Sequence, residues 1–222
     1  MEIQVADQQD KTKIKSLKKL ITPVMRDGFQ ALRMDDIAKL MDVSRATLYK
    51  HFSSKEEVME GVVRLFADYV ANLEDLGPEE DDNVYAIGFQ RLFEQSVTLA
   101  GKISEVFMKE LQAVYPELYD ELKNALNERE ERIVRFYRHG QSKGVFNPIN
   151  EHLLVLQDVI LLREIMNPKY LLSRNISIRQ SLVDYYRLKK TQLFIAEKAS
   201  IVDDSKIEPV IDYLVDKFTS TL

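Results

Sequence analysis

The chain has 222 residues, a formal net charge of −5, 45% hydrophobic residues, and neither Cys nor Trp. That length and composition admit one large domain or two small ones with a real core. The lack of Cys excludes disulfides, thiolate metal sites and cysteine nucleophiles, and the acidic balance at first speaks against nucleic acid, whose binding domains often have pI above ~9. Only 7 Gly and 6 Pro interrupt the chain, which favours long helices over a turn-rich sheet. Residues 1–7 have no basic or apolar leader pattern, so no signal peptide is expected, and no run reaches the ~18 apolar residues of a membrane span.

In chain order, Ile14, Leu17, Ile21 and Val24 predict a helix over 10–27 that ends at Gly28. Pro23 inside it removes one ladder hydrogen bond and predicts a kink. A short helix over 34–41 turns Ile37 and Leu40 inward. Ser44 is a good N-cap for another over 45–51. Ser53-Ser54-Lys55-Glu56-Glu57 caps a helix over 55–76 with Val58, Val62, Leu65, Tyr69, Leu73 and Leu76 on one face. After the Gly77-Pro78 break, the acids of 79–82 lead into a helix over 82–99, where they complement the helix dipole. Ile103, Phe107 and Leu111 form a short stripe. Pro116 suits the first turn of a helix over 116–141. Residues 151–166 are apolar on most faces, so that helix must be covered on more than one side. Helices over 177–193 and 206–220 follow. The fold class is all-α.

Two short helices joined through Met41-Asp42-Val43-Ser44 fit a helix-turn-helix, whose second helix enters a major groove. In Ser44-Arg45-Ala46-Thr47-Leu48-Tyr49-Lys50-His51-Phe52, Leu48 and Phe52 are four apart and face the core. Arg45, Thr47, Tyr49, Lys50 and His51 remain for the groove and its rims.

Gly28-Phe29, Asp36-Ile37-Ala38 and the run from Val43 through Glu56 resemble the DNA-binding segment of the tetracycline-repressor (TetR) family, over roughly residues 14–58. The resemblance implies an N-terminal three-helix bundle with helix-turn-helix over 1–54. A larger helical effector-binding and dimerisation domain would follow over 55–222, with helix 55–76 linking the two. By position, Thr47 and Tyr49 are similar to the family's phosphate-contacting pair, and Lys55 to its phosphate-binding lysine. Arg45, Ala46, Lys50 and His51 fall where the family reads bases or phosphates, and Ser44 caps the recognition helix. The chain departs from the pattern at Arg33, where Thr is common, and at Asp42 and Ala46, where Gly is common. Arg33 implies a lost cap and a gained phosphate partner; Asp42 still tolerates a left-handed turn.

The same resemblance implies a homodimer on a pseudo-palindromic operator in double-stranded DNA, and a small-molecule effector of unknown identity. For the dimer interface, Leu154, Leu161, Leu182 and Tyr186 are the candidates, on the apolar helix 151–166 and its neighbour 177–193. For the ligand pocket they are Phe89, Phe93, Phe107, Met108, Leu111, Tyr115, Tyr137 and Met166, because aromatic and Met side chains line apolar cavities readily. An apolar or aromatic effector is expected, with Arg91, Arg163 and Glu164 as possible polar anchors. The segment 194–222 is expected to add a helix over the bundle.

The expected function is thus a ligand-responsive DNA-binding regulator in the cytoplasm, released from its operator by effector. The alternative is a helical ligand-binding or interaction protein that has lost DNA binding. No enzyme is expected: there is no phosphate loop, Gly-x-Ser-x-Gly elbow or two-His metal motif. No cofactor, metal site or membrane association is expected either. Residues 1–60 carry 11 Lys and Arg against 10 Asp and Glu, and the remainder 20 against 26. Binding to DNA must therefore rest on placement: Arg33, Arg45, Lys50 and Lys55, with Lys11, Lys13 and Lys15 near the N-terminal arm.

Overall fold

The computed structural model describes residues 2–74 and 83–220, with side chains from Thr12 onward. The Gly77-Pro78 break, Leu76 and the acids of 79–82 lie outside the described residues, as does the side chain of Lys11. The described helices are α1 (Glu2–Asp27), α2 (Met34–Met41), α3 (Arg45–His51), α4 (Lys55–Ala71), α5 (Asn83–Lys102), α6 (Glu105–Val114), α7 (Pro116–Ser142), α8 (Glu151–Ile165), α9 (Pro168–Arg174), α10 (Ile178–Leu193) and α11 (Ile207–Thr219). Among the described residues no strand forms; Phe146 and Phe194 share one isolated antiparallel bridge. The chain is all-α. It divides into two compact units, one of residues 1–72 and 102–128, the other of 73–101 and 129–222. This division is drawn by packing and is a different matter from the functional boundary read at 54/55.

In the first unit, α1 packs on α2 and α4, and α3 on α2, with Leu17, Leu20, Val24 and Met25 of α1, Ile37 and Met41 of α2, Leu48 of α3 and Val58 and Val62 of α4 all buried. Ile14 and Leu40 are more than a third exposed. In the two turns of α2, the inward arc is set by Ile37, Ala38 and Met41, and Leu40 falls beside it. α1 runs unbroken through Pro23 and begins earlier than its apolar stripe. Asp42 takes the left-handed conformation (φ 57°, ψ 51°) that ends α2, and Val43 N–H closes back on the Ala38 carbonyl. An Asp thus serves where Gly is the usual solution. Lys19 Nζ holds the Asp42 carboxylate at 3.0 Å. α4 stops at Ala71, short of the expected residue 76, because the Asn72 amide turns back to donate to the Asp68 carbonyl.

The second unit is an aromatic core. Phe89, Phe93, Phe136, Tyr137, Phe146, Tyr185, Tyr186 and Phe194 are all buried, most in tilted or edge-to-face pairs. Gly140 admits the Phe146 ring, which an added Cβ would strike. Asn147 pins the end of α10 by donating to the carbonyls of Gln192 and Phe194. α11 buries Ile207, Ile211 and Leu214 and packs on α10, so the C-terminal segment does cover this bundle. α9 is an element the sequence reading missed. Asn167-Pro168 looks like a stop after α8, yet Asn167 Oδ1 accepts Lys169 N–H and Pro168 opens a new helix.

Candidate functional site

The reading head is built from the start of α3. Ser44 Oγ accepts Thr47 N–H at 3.1 Å and lies 2.8 Å from the Thr47 hydroxyl, so the cap also fixes the Thr47 side chain. Leu48 and Phe52 are buried, which fixes the rotation of this helix of under two turns. The same rotation leaves Arg45, Ala46, Tyr49 and Lys50 exposed, with Thr47 and His51 half-buried. Arg45 pairs with Asp35 of α2 (Nε–Oδ1 3.2 Å) and lies over the Tyr49 ring. An exposed pair of this kind is weak, so Arg45 can exchange it for a DNA contact. Arg33 is exposed before α2. Its backbone N–H, not its side chain, is the capped group, through Asp36 Oδ2.

Lys55, at the first position of α4, is folded inward. Its ammonium donates to the carbonyls of Gln30 (3.0 Å) and Leu32 (2.8 Å) and lies over the Phe29 ring. An ammonium has three donors, and among the described residues these two bonds leave one N–H for a phosphate oxygen. Burial lowers its pKa, opposed by the charge of Glu110. Glu110 of α6 is a residue that sequence reasoning missed. Its Oε2 accepts the backbone N–H groups of Phe29 (2.5 Å) and Gln30 (2.8 Å). It thereby holds from below the turn whose carbonyls hold Lys55. Its partners are backbone groups some eighty residues away, so no side-chain pattern could reveal it.

The eight pocket candidates are not brought together. Phe107, Met108, Leu111 and Tyr115 belong to the first unit, where Phe107 meets the Phe29 ring edge-on and Tyr115 stacks on it. Phe89, Phe93 and Tyr137 do line a common cleft in the second unit. Met166 packs beside Gly101 instead. The cleft encloses about 230 Å³, space open to solvent included, and its closed part has room for little beyond one water molecule. Its polar groups are none of the anchors expected: Arg91 pairs with Glu74, and Arg163 and Glu164 are exposed. Its charged groups are Asp158 and Lys189, an ion pair at 3.0 Å. A signal for them existed. Lys189 falls on the stripe of Leu182, Tyr185, Tyr186 and Leu193, and Asp158 is the acid in the middle of the apolar helix.

Of the dimer candidates, Leu154, Leu182 and Tyr186 are buried in the second unit's own core, and Leu161 is partly exposed. A helix apolar all round does not tell which side its own bundle takes. α8 spends Leu154, Val155 and Leu162 inward and shows Leu153 (60% exposed), Leu156 and Ile160 outward, with Leu188 of the adjoining α10 (55% exposed).

Comparison with known proteins agrees with this architecture. Residues 25–62 match the family model described as bacterial regulatory proteins, tetR family. Over 116 residues the chain is 28% identical to the biofilm operon icaADBC HTH-type negative transcriptional regulator IcaR of Staphylococcus aureus (strain Newman), covering 52% of this chain and 56% of that protein. The chain thus spans about half the length of the curated relatives it matches. Among solved structures, a TetR transcriptional regulator from Chloroflexus aurantiacus superimposes with a TM-score of 0.61 at 14% identity, over 86% of this chain and 100% of that one. The ketosteroid transcriptional regulator KstR2 of Mycobacterium tuberculosis does so at 0.56 and 17%, over 82% and 95%. At such identities the likeness concerns the fold. The Ser44-capped helix and the Lys55 contact both fall in the matched stretch, so residues 25–62 are a segment of the kind found in the tetR family of bacterial regulatory proteins.

Proposed function

We propose that the protein is a ligand-responsive transcriptional regulator that binds a pseudo-palindromic DNA operator as a homodimer. The observation that carries this is the rotation of α3: Leu48 and Phe52 are buried, so Arg45, Thr47, Tyr49 and Lys50 line the groove-facing side. Tyr49, Thr47, Ser44, Arg33 and Lys55 take phosphate oxygens. Arg45, Lys50, Ala46 and His51 meet base edges or the groove rims. Phosphate contacts fix the register and base contacts specify the sequence. Repression is the favoured sense, supported by the negative regulator among its relatives. A cytoplasmic location belongs to the same reading, since its target is chromosomal DNA; none of the described helices is long and apolar enough to cross a membrane.

Two heads are needed to read half-sites roughly 34 Å apart. The outward face of α8, Leu153, Leu156 and Ile160, together with Leu188 of α10, supplies a self-complementary apolar surface for a two-fold contact. The cleft around Phe89, Phe93 and Tyr137 is the effector site, and its occupation favours the dimer state with the lower operator affinity.

The test is binding of the full chain to the DNA upstream of its own gene, measured by anisotropy across a salt series. A steep salt slope with sequence preference is expected. Tyr49→Ala and Lys55→Ala should weaken binding on every sequence, and Lys55→Ala should also flatten the slope by about one unit, whereas Arg45→Ala and Lys50→Ala should change the preference. Unaltered affinity in both sets would remove the DNA assignment.

A further inference from the structure

The buried ion pair in the second unit has no part in the DNA face. Lys189 is 2% exposed and donates to the Leu154 carbonyl at 2.6 Å and to Asp158 Oδ1 at 3.0 Å. Oδ1 also accepts the Tyr185 hydroxyl at 2.6 Å. Oδ2, among the described residues, takes only the Tyr137 hydroxyl, at 3.4 Å. A carboxylate can accept about four hydrogen bonds, so Oδ2 is an under-used acceptor, and Asp158 lines the cleft walled by Phe89, Phe93, Tyr137 and Leu162. A buried ion pair is a poor way to gain stability, since apolar replacements of like volume often do as well or better. Its position at an aromatic cleft points to recognition.

Most donors around the cleft already have targets. Both tyrosine hydroxyls and the Lys189 ammonium are turned onto Asp158 or a backbone carbonyl. Arg129 donates to Ser96 Oγ, which also borders the cleft. An anionic ligand would find only the third N–H of Lys189, and there it would lie against the like charge of the Asp158 carboxylate. A cationic ligand would find the acceptor but would lie beside the Lys189 charge, with that of Arg129 near Tyr137. A neutral donor meets neither penalty, and the rings offer it an apolar wall.

We infer that the effector is an uncharged, ring-containing molecule that donates one hydrogen bond to Asp158. This rests on the reading of the second unit as the effector domain. Because the cleft now has room for little beyond one water molecule, such a ring enters only as Phe89 and Phe93 move. Occupation is thereby tied to a change of packing.

The experiment compares three probes of one shape on the full-length dimer at neutral pH, by calorimetry without DNA. They are 2-naphthol, 2-naphthoate and 2-naphthylmethylammonium. The naphthol should bind at least about tenfold more tightly than either ion. The double variant Asp158→Asn/Lys189→Met, which removes both charges together, should bind the naphthol at least about tenfold more weakly while its operator affinity stays within about twofold. Tighter binding of either ion, binding of none of the three, or unchanged naphthol binding by the double variant overturns the inference. The wild-type comparison stands even if the variant fails to fold. Operator binding without any probe is read separately. Its absence beside normal naphthol binding would count against the regulator reading and leave the ligand class intact.

Discussion

Glu110 and Phe29 are 81 positions apart, and the carboxylate of the first accepts the backbone N–H of the second at 2.5 Å. The same oxygen takes Gln30 N–H, and the carbonyls of Gln30 and Leu32 in turn receive Lys55. A residue of α6 thus sets the position of the lysine that opens α4. Gly28 makes the close approach possible: its φ of +86° suits glycine, and an added Cβ would come within 2.6 Å of Glu110 Oε2. Glu110→Ala leaves two backbone donors without their partner and should cost about 1–3 kcal/mol. Glu110→Gln, which keeps an acceptor, should cost less. Operator affinity should fall in the same order. Calorimetric unfolding and anisotropy on the same samples check this, and an Ala variant with wild-type operator affinity would show that the clamp does not position Lys55.

The ion pair makes a different prediction. Asp158→Ala strands a buried ammonium and should destabilise by about 3–5 kcal/mol. Adding Lys189→Met should restore most of that loss, because the penalty belongs to the unpaired charge. Urea unfolding of wild type, both single variants and the double variant closes the cycle. A double variant as unstable as Asp158→Ala would assign the loss to packing.

Stability should also depend on alkaline pH. Burial and the nearby Asp158 charge raise the pKa values of Tyr137 and Tyr185 above their ordinary 10.0. Folded tyrosines then hold protons that the unfolded chain releases, so their contribution is complete below pH 10 and is lost as pH rises beyond it. Burial lowers the pKa of Lys189 below its usual 10.5, which acts in the opposite sense only below that value. Above it the tyrosines dominate, and the midpoint of thermal unfolding should fall. Tyr185→Phe should flatten that fall. Absorbance at the phenolate band, followed across the same pH series, should show these hydroxyls ionising only with unfolding.

The two sides of α8 should answer differently to mutation. Leu154→Ala opens a cavity in the second unit and should cost about 2–5 kcal/mol. It should leave the oligomeric state of the folded protein unchanged. Leu156→Glu and Ile160→Lys sit on the exposed face and should convert dimer to monomer, with a folded-monomer stability change near ±0.5 kcal/mol. Sedimentation velocity separates the two outcomes. Dimers that survive both charged substitutions would exclude this face.

The helices and the reading head were legible because their determinants are local. Ser44 caps three residues ahead, Leu48 and Phe52 share a face by spacing alone, and Asp42 turns the chain within its own residue. The start of α9 was misread because Asn-Pro is both a good end and a good beginning for a helix, and only the residues that follow decide which. Leu154, Leu182 and Tyr186 were read as a dimer surface for a related reason. Period and hydrophobicity say that a face is apolar, but do not say whether the chain's own core or a second copy covers it.

What residue order alone settled is therefore the all-α architecture, the family segment and the side chains that α3 leaves exposed. The tertiary structure decided the rest: which apolar residues are core, that Phe107 and Tyr115 pack under the reading head with Phe29, and that Asp158 meets Lys189 at the aromatic cleft. It also decided that Glu110 seats the turn beneath Lys55. The reason is physical. Capping and helical periodicity act over three or four residues and are written in the order of side chains. Desolvated charge pairs and carboxylate-to-backbone bonds join distant segments, and they exist only once packing has excluded water around them.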